Sequence, residues 1–310
     1  MPGYSIAIHG GAGTIQRSAM TADMEAAYTR GLEEALDAGY AILKGGGHAV
    51  DAVRAAVVSL EDNILFNAGR GAVFARDGSQ EMDAAIMDGH TGQAGAVCGV
   101  KRIKNPVELS YAVMMQSPHV MLSGPGANEF AAAIGMKEEP DSYFFSKLRY
   151  DQWQQVKETD TAALDHNIVI QDKKFGTVGA VACDARGHLA AATSTGGMTN
   201  KQWGRVGDSP VIGSGTYAND KTCAISCTGH GELFIKAVAA YDVSCLMEYK
   251  GLSLQEAMQV VVMDKLVKIN GEGGMIGADA QGNIAMLFNS EGMYRGMMDK
   301  EGRRLTAIYK

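Results

Sequence analysis

Proline is scarce, at 6 of 310 residues, and no run of eighteen apolar residues occurs. The missing apolar run excludes a membrane-spanning helix. Basic runs are missing too. The densest positive cluster, Lys300 to Arg304, is interrupted by Glu301 and Gly302, and the net charge is −7. A chain with this charge is not expected to bind nucleic acid or an anionic membrane. The first residues, MPGYSIAIHGGAG, lack a basic n-region, so no secretory signal is expected and the expected compartment is the cytoplasm. The five cysteines (Cys98, Cys183, Cys223, Cys227, Cys245) show no metal-ligand spacing and read as small thiols of a reducing cytoplasm. Familiar catalytic signatures are absent as well. HGGAG has no G-x-S-x-G elbow beside it, no P-loop is present, and the seven histidines form no H-E-x-x-H. Serine-esterase, nucleotide-phosphate and zinc-hydrolase chemistry are therefore set aside.

Glycine, in contrast, is abundant. Its 39 residues cluster at Gly10-Gly11, Gly45 to Gly47, Gly196-Gly197 and Gly273-Gly274. Such clusters at strand ends suggest a site built largely from main chain. A length of 310 allows two domains or one large mixed unit. SIAIH (Ser5 to His9) reads as a strand, followed by a helix from about Thr21 to Leu43 with Thr21 as N-cap, and a second from Ala49 to Glu61. Met82 to Met87 and Ala94 to Val100 read as strands around an Asp88-Gly89 turn, and Pro106 to Gln116 as a helix. From Met136 to Lys174 charges crowd in and periodicity fades. Arg149 to Lys157 fits a helix, and the rest reads as a linker. Beyond it, Val178 to Cys183 and Leu189 to Thr193 predict a hairpin around Asp184 to Gly187. The pattern D-A-x-G-x-(I/L)-A recurs near the C-terminus, within Gly273 to Met293, and predicts a second hairpin in the same antiparallel sheet. Glu232 to Tyr249 and Leu254 to Val267 read as helices. The class is α+β, with helices and antiparallel sheet in layers.

The remaining candidates for chemistry are hydroxyls beside glycine: Thr177 after Gly176, Thr195 before Gly196-Gly197, and Thr228 before Gly229. Singly, each is an ordinary strand residue. Gly176-Thr177 also supports a sharper reading. A threonine hydroxyl needs a base beside it. If the chain were cut before Thr177, its own α-amine, with a pKa of about 7.7–8.0, would be that base. Glycine at 176 would let the backbone take a strained turn that exposes its carbonyl. The linker, the Gly-Thr pair and the strand starting there then have one explanation.

The stretch GTVGAVACDARGHLAAATSTGGMTNKQWGRVGDSPVIGSGTYAND, with IAIHGGAG, LFNAGRGAVF, MDAAIMDG, SCTGHGE and FNSEGMYRG, closely resembles the plant-type (class 3) threonine-dependent isoaspartyl peptidases/L-asparaginases of the N-terminal nucleophile hydrolases. The resemblance implies a single domain over residues 1–310, folded as a four-layer αββα sandwich with antiparallel sheets. It implies self-cleavage at Gly176-Thr177 into an α subunit, 1–176, with a flexible linker at about 136–176, and a β subunit, 177–310, assembled as (αβ)2. It implies hydrolysis of β-aspartyl dipeptides and L-asparagine through an aspartyl-enzyme ester. Thr177 matches the nucleophile and Thr195 the threonine bonded near it. Thr228 and the Gly229 N–H match the oxyanion hole, worth roughly 3 kcal/mol or more. Arg205 and Asp208 match the anchors for the substrate α-carboxylate and α-ammonium, with Gly229, Gly231 and Asn67 on the substrate side. The carbonyls of Leu60, Glu61, Asn63, Phe66, Ala68 and Arg70 match a structural sodium site; no organic cofactor is implied. His230 stands where some relatives carry threonine, and Trp203 lies near the anchors on the expected leaving-group side. Within the fold, a glycosylasparaginase or a Taspase-like protease remains open. Outside it stands a non-catalytic amino-acid-binding protein using Arg205 and Asp208.

Overall fold

The computed structural model describes residues 3–158 and 176–310. Its strands are β1 (Ser5–Gly13), β2 (Met82–Asp88), β3 (Ala94–Val100), β4 (Met121–Ser123), β5 (Val178–Cys183), β6 (Leu189–Thr195), β7 (Thr216–Ala218), β8 (Cys223–Gly229), β9 (Gly273–Asp279), β10 (Ile284–Phe288), β11 (Gly292–Asp299) and β12 (Arg304–Tyr309). They form an eight-stranded sheet in the order β12-β11-β1-β5-β6-β2-β3-β4 and a four-stranded sheet in the order β10-β9-β8-β7. Neighbours are antiparallel except at one edge, where β3 and β4 pair in parallel. The helices are α1 (Ala22–Lys44), α2 (Ala49–Asp62), α3 (Pro106–Gln116), α4 (Gly124–Ala133), α5 (Asp141–Phe144), α6 (Lys147–Val156), α7 (Gly231–Ala237), α8 (Ala239–Lys250), α9 (Leu254–Val260) and α10 (Leu266–Lys268). The Thr21 hydroxyl caps α1 by accepting from Met24 N–H at 3.2 Å. Among the described residues no helix is long and apolar enough to cross a membrane.

Strand alternation sorts the core. On one face of the large sheet Ile6, Ile8, Val178, Ala180 and Ala192 pack under Leu32, Leu36, Val53 and Val57 of α1 and α2. On the other face Ala7, Val181 and Ala191 meet Ala224, Ile276 and Ala278 of the small sheet. The alanines there let the two sheets approach closely. The far face of the small sheet buries Cys223, Ile225 and Met275 against Val243, Met258 and Val262.

Four expectations change. The two similar hairpins, β5-β6 and β9-β10, lie in different sheets. Their shared turn pattern specifies a hairpin but not its lateral partners. The helix expected over Glu232 to Tyr249 breaks at Val238, whose φ of 48° ends α7 and starts α8. The helix expected over Leu254 to Val267 widens into a π-type turn at Val261–Lys265. The linker expected from about 136 does not extend over 141–156. There Phe144 and Arg149 are buried, Trp153 stacks on Phe74 at 5.7 Å, and Arg149 donates to the carbonyls of Gly71 and Leu65. The rest of that linker, from 159 to 175, lies outside the described residues. All five cysteines are free thiols.

Candidate active site

Thr177 immediately precedes β5, in the middle of the large sheet. Antiparallel pairing of β5 with β6 sets Val178 opposite Ser194, which carries Thr195 to the start of β5. The Thr177 and Thr195 hydroxyl oxygens lie 3.0 Å apart. Thr195 Oγ1 also accepts from Gly197 N–H at 3.0 Å. That bond fixes the Thr195 rotamer and leaves its own proton available to Thr177.

The Gly176 carbonyl accepts from Asn67 N–H at 3.1 Å. Gly176 meets a requirement for space. A Cβ at 176 would lie 2.3 Å from the Asn67 Cβ. Both polar groups of the Asn67 side chain are engaged within the protein. Nδ2 donates to Gly197 O at 2.8 Å and Oδ1 accepts from Val73 N–H at 3.0 Å. Asn67 thus ties together the stretches around 73, 176 and 197; its side chain acts here as a brace between loops.

Two groups beneath Thr177 carry no strong sequence signal. His9, from HGGAG, lies fully buried with Nδ1 3.0 Å from Thr177 O and Nε2 2.9 Å from Ser226 Oγ. Burial pushes its pKa down to about 3, against a smaller upward pull from the Thr177 carbonyl. A carbonyl only accepts, so the neutral ring protonates Nδ1 and Nε2 accepts from Ser226. Ser226 Oγ lies 2.7 Å from Thr193 Oγ1, to which Thr216 donates at 2.6 Å. This chain of buried hydroxyls behind Thr177 is satisfied end to end. Gly179 is glycine because a Cβ there would fall 2.0 Å from Ser226 Oγ and 2.5 Å from His9 Nε2.

Thr228 is buried near the end of β8, where its hydroxyl accepts from Ala12 N–H at 3.2 Å. Gly229 follows with φ 150° and leaves no room for a side chain, since a Cβ would sit 2.4 Å from Glu272 O. Arg205 and Asp208 converge on Gly231, where a Cβ would be 2.9 Å from both Arg205 Nη2 and Asp208 Oδ1. Glycine at 231 opens the gap between cation and carboxylate. Arg205 is held by Glu232 through Nε–Oε1 at 2.8 Å and Nη2–Oε2 at 3.0 Å. Partial burial alone would raise the Glu232 pKa, but hydrogen bonding and charge from Arg205 outweigh it and hold the carboxyl down. Glu232 occupies one edge of the guanidinium fork, which leaves the Nη1–Nη2 end for a ligand. Asp208 is buried, its Oδ2 has no hydrogen-bond partner among the described residues, and burial pushes its pKa up to about 7 despite nearby Arg205. An orphaned buried carboxylate oxygen calls for a cationic partner. Lys201, also buried, donates to Glu81 O at 2.8 Å beside Gly197. Trp203 is 96% exposed at φ 55°, and His230 Nε2 lies 3.7 Å from Glu232 Oε2.

The loop from Leu60 to Arg70 folds back on the end of α2. Gly69, at φ 50°, abuts the Glu61 carbonyl, and Gly71 abuts those of Ile64 and Phe66. The carbonyls of Leu60, Asn63 and Ala68 each accept one main-chain N–H and keep a second lone pair. Neutral main-chain oxygens curled around side-chain-free positions suit a hard monovalent cation. The Glu61 side chain lies buried beside this loop, its pKa raised by burial to about 8 although Val107 N–H donates to it.

The asparaginase family model matches residues 3–308. The isoaspartyl peptidase of Escherichia coli strain K12 is 51% identical over 307 residues, 98% of this chain and 96% of its own. The human isoaspartyl peptidase/L-asparaginase is 40% identical over 289 residues, 93% of this chain and 91% of its own. An Arabidopsis thaliana relative, a probable isoaspartyl peptidase/L-asparaginase, is 38% identical over the whole of both chains.

Proposed function

The chain belongs to the asparaginase family, and from that premise we propose that it is a self-activating amidohydrolase of β-aspartyl dipeptides and L-asparagine. The observation that carries this reading is the 3.0 Å approach of the Thr177 and Thr195 hydroxyls beside a Gly176 carbonyl that accepts from Asn67 N–H. In maturation, Thr177 Oγ attacks the Gly176 carbonyl and the C–N bond breaks, leaving Gly176 as an ester on Oγ and freeing the Thr177 α-amine; water then hydrolyses that ester, releasing the Gly176 carboxylate and restoring the Thr177 hydroxyl. In turnover, that amine takes the proton from Thr177 Oγ as the oxygen attacks the substrate side-chain carbonyl. The Thr228 hydroxyl and Gly229 N–H face the developing oxyanion. The amine returns the proton to the departing nitrogen, leaving an aspartyl ester on Thr177. Water then attacks the ester and releases aspartate. Arg205 holds the substrate α-carboxylate through its free end, and Asp208 Oδ2 receives the α-ammonium.

The same reading makes the chain one domain folded as a four-layer αββα sandwich of the N-terminal nucleophile hydrolases. Residues 1–176 and 177–310 are its two subunits, paired as (αβ)2 in the cytoplasm. The carbonyls of Leu60, Glu61, Asn63, Phe66, Ala68 and Arg70 hold a sodium ion whose role is to stiffen the Asn67 loop; no organic cofactor takes part. The test is a denaturing gel with mass spectrometry, joined to assays on β-Asp-Leu, L-asparagine and GlcNAc-asparagine. Two fragments meeting at Gly176/Thr177, with hydrolysis of the first two substrates, are expected. Thr177→Ala should block both events, and a Thr177→Ala protein that still hydrolyses them would overturn the assignment.

A further inference from the structure

At the opposite ends of the strands from Thr195, three turns meet. The β2-β3 turn brings His90, the β5-β6 turn brings His188, and the β7-β8 turn brings Asp220. His188 Nδ1 lies 2.8 Å and His90 Nδ1 3.3 Å from the same oxygen, Asp220 Oδ2. The imidazole centroids are 3.7 Å apart, and one ligand atom from each of the three residues lies within 4.8 Å of the others. We propose that His90, His188 and Asp220 form a binding site for a zinc-class divalent cation.

The turns are laced by main chain before any ion arrives. Gly89 N–H donates to Leu189 O at 2.8 Å, and Asp220 N–H donates to Gly89 O at 3.1 Å. Asp220 Oδ1 is committed to Leu189 N–H at 2.8 Å, which turns Oδ2 toward the histidines. Asp88 accepts from His90 N–H and from the Thr91 hydroxyl, and Asp184 accepts from His188 N–H. These contacts fix the backbone that carries each ligand, as supporting hydrogen bonds do around metal sites.

The donor chemistry selects the ion. Zinc takes imidazole nitrogen and carboxylate oxygen at about 2.0–2.2 Å, which sets tetrahedral ligands roughly 3.3 Å apart. The two nitrogen–oxygen separations, 2.8 and 3.3 Å, lie at or just under that spacing. Two imidazoles disfavour magnesium and calcium, and a set with no thiolate admits zinc, nickel, cobalt and copper alike. Without metal, each neutral ring can donate its Nδ1–H to Oδ2; an ion replaces those two protons and leaves the same atoms facing one another. His90 is mostly exposed, so a fourth position opens to water. The spacings in sequence, 90, 188 and 220, give no motif, because the site arises only where turns from both sheets converge.

The set also straddles Gly176-Thr177: His90 precedes it, while His188 and Asp220 follow it. A bound ion therefore links the two sheets and, if the proposed cleavage occurs, the two fragments. Only this last consequence rests on the proposed function. The site is remote from the chemistry, since the seven residues of β6 span roughly 20 Å.

The experiment uses tag-free, chelator-treated full-length protein titrated with zinc chloride by calorimetry. Cobalt chloride follows, read by its visible absorption, and thermal melts with and without zinc complete the set. One zinc per chain, a cobalt spectrum of tetrahedral type and a Tm rise of roughly 3–8 °C in excess zinc are expected. His90→Ala and His188→Gln should each weaken binding by about 10-fold or more and remove the Tm rise. Both should leave hydrolysis of β-Asp-Leu within about twofold of wild type, given the distance from Thr195. Absence of saturable zinc uptake, or uptake unchanged in both variants, would overturn the proposal. Neither result depends on hydrolytic activity, so failure of the metal site and failure of the proposed function are told apart.

Discussion

His9 Nδ1 donates to the main-chain oxygen of Thr177 at 3.0 Å, joining β1 to the residue that opens β5. The same ring accepts from Ser226 of β8 at 2.9 Å, so one neutral imidazole ties both sheets to the proposed nucleophile. Removing it leaves buried groups unpaired, each costing about 1–3 kcal/mol. His9→Ala should lower kcat by about 10-fold or more with a smaller change in KM.

A pH signature accompanies that loss. The folded-state pKa of His9 lies near 3, below its ordinary 6.5. The unfolded chain therefore binds the extra proton, and wild-type stability falls as pH drops from 6.5 towards 3. His9→Gln cannot titrate and should lose less over that window in denaturant melts at pH 4 to 7. Parallel curves for the two proteins would show that His9 is not held neutral.

Much of this arrangement was legible in the sequence, and the exceptions share a cause. The β5-β6 hairpin and α2 follow from local alternation and periodicity, so their limits differ little from expectation. His9, Ser226 and Thr193 act together only because β1, β6 and β8 come from distant parts of the chain. Glu232 is invisible as the partner of Arg205 for the same reason. The break at Val238 escaped because the residues on both sides favour helix, and only tertiary packing selects a left-handed residue between them.

Glu232 offers the next test. It grips the Nε–Nη2 edge of Arg205 with bonds of 2.8 and 3.0 Å, which aims the other end at the gap beside Gly231. Glu232→Gln keeps the shape but weakens a charge-assisted pair. KM for L-asparagine should rise by about 10-fold with kcat little changed, whereas Arg205→Lys, which loses the planar fork, should raise KM more steeply. A fall in kcat alone would place Glu232 in the chemical step instead.

Asp208 sets a pH dependence of opposite sign to that of His9. Its folded pKa, pushed up to about 7 by burial, exceeds the ordinary 3.8, so the folded state holds the extra proton. That contribution is fully present below 3.8 and is lost as pH rises through about 7. Asp208→Asn should therefore unfold at a higher temperature than wild type at pH 8, with a smaller difference at pH 5. It should also bind substrate poorly at every pH, because an amide does not pair with an ammonium as a carboxylate does. Melting curves and KM values across that range check both halves.

Gly176 carries the sharpest steric demand at the proposed cleavage bond. A Cβ there would meet the Asn67 Cβ at 2.3 Å and its nitrogen at 2.9 Å. Asn67 cannot retreat freely, because its side chain is bonded to Gly197 O and Val73 N–H and its main-chain oxygen accepts from Gly196 N–H. In Gly176→Ala the chain before Thr177 must therefore shift, and the Gly176 carbonyl loses the Asn67 N–H that polarises it. Overpacking of this kind costs about 1–3 kcal/mol; concentrated in the cleavage step, that slows it by roughly 5- to 150-fold. A time course on a denaturing gel should show the uncleaved chain persisting in Gly176→Ala after wild type has divided. Fragments that do form should hydrolyse β-Asp-Leu normally, because the β subunit then begins at an unaltered Thr177. Wild-type cleavage kinetics in Gly176→Ala would mean that the contact with Asn67 has no part in maturation.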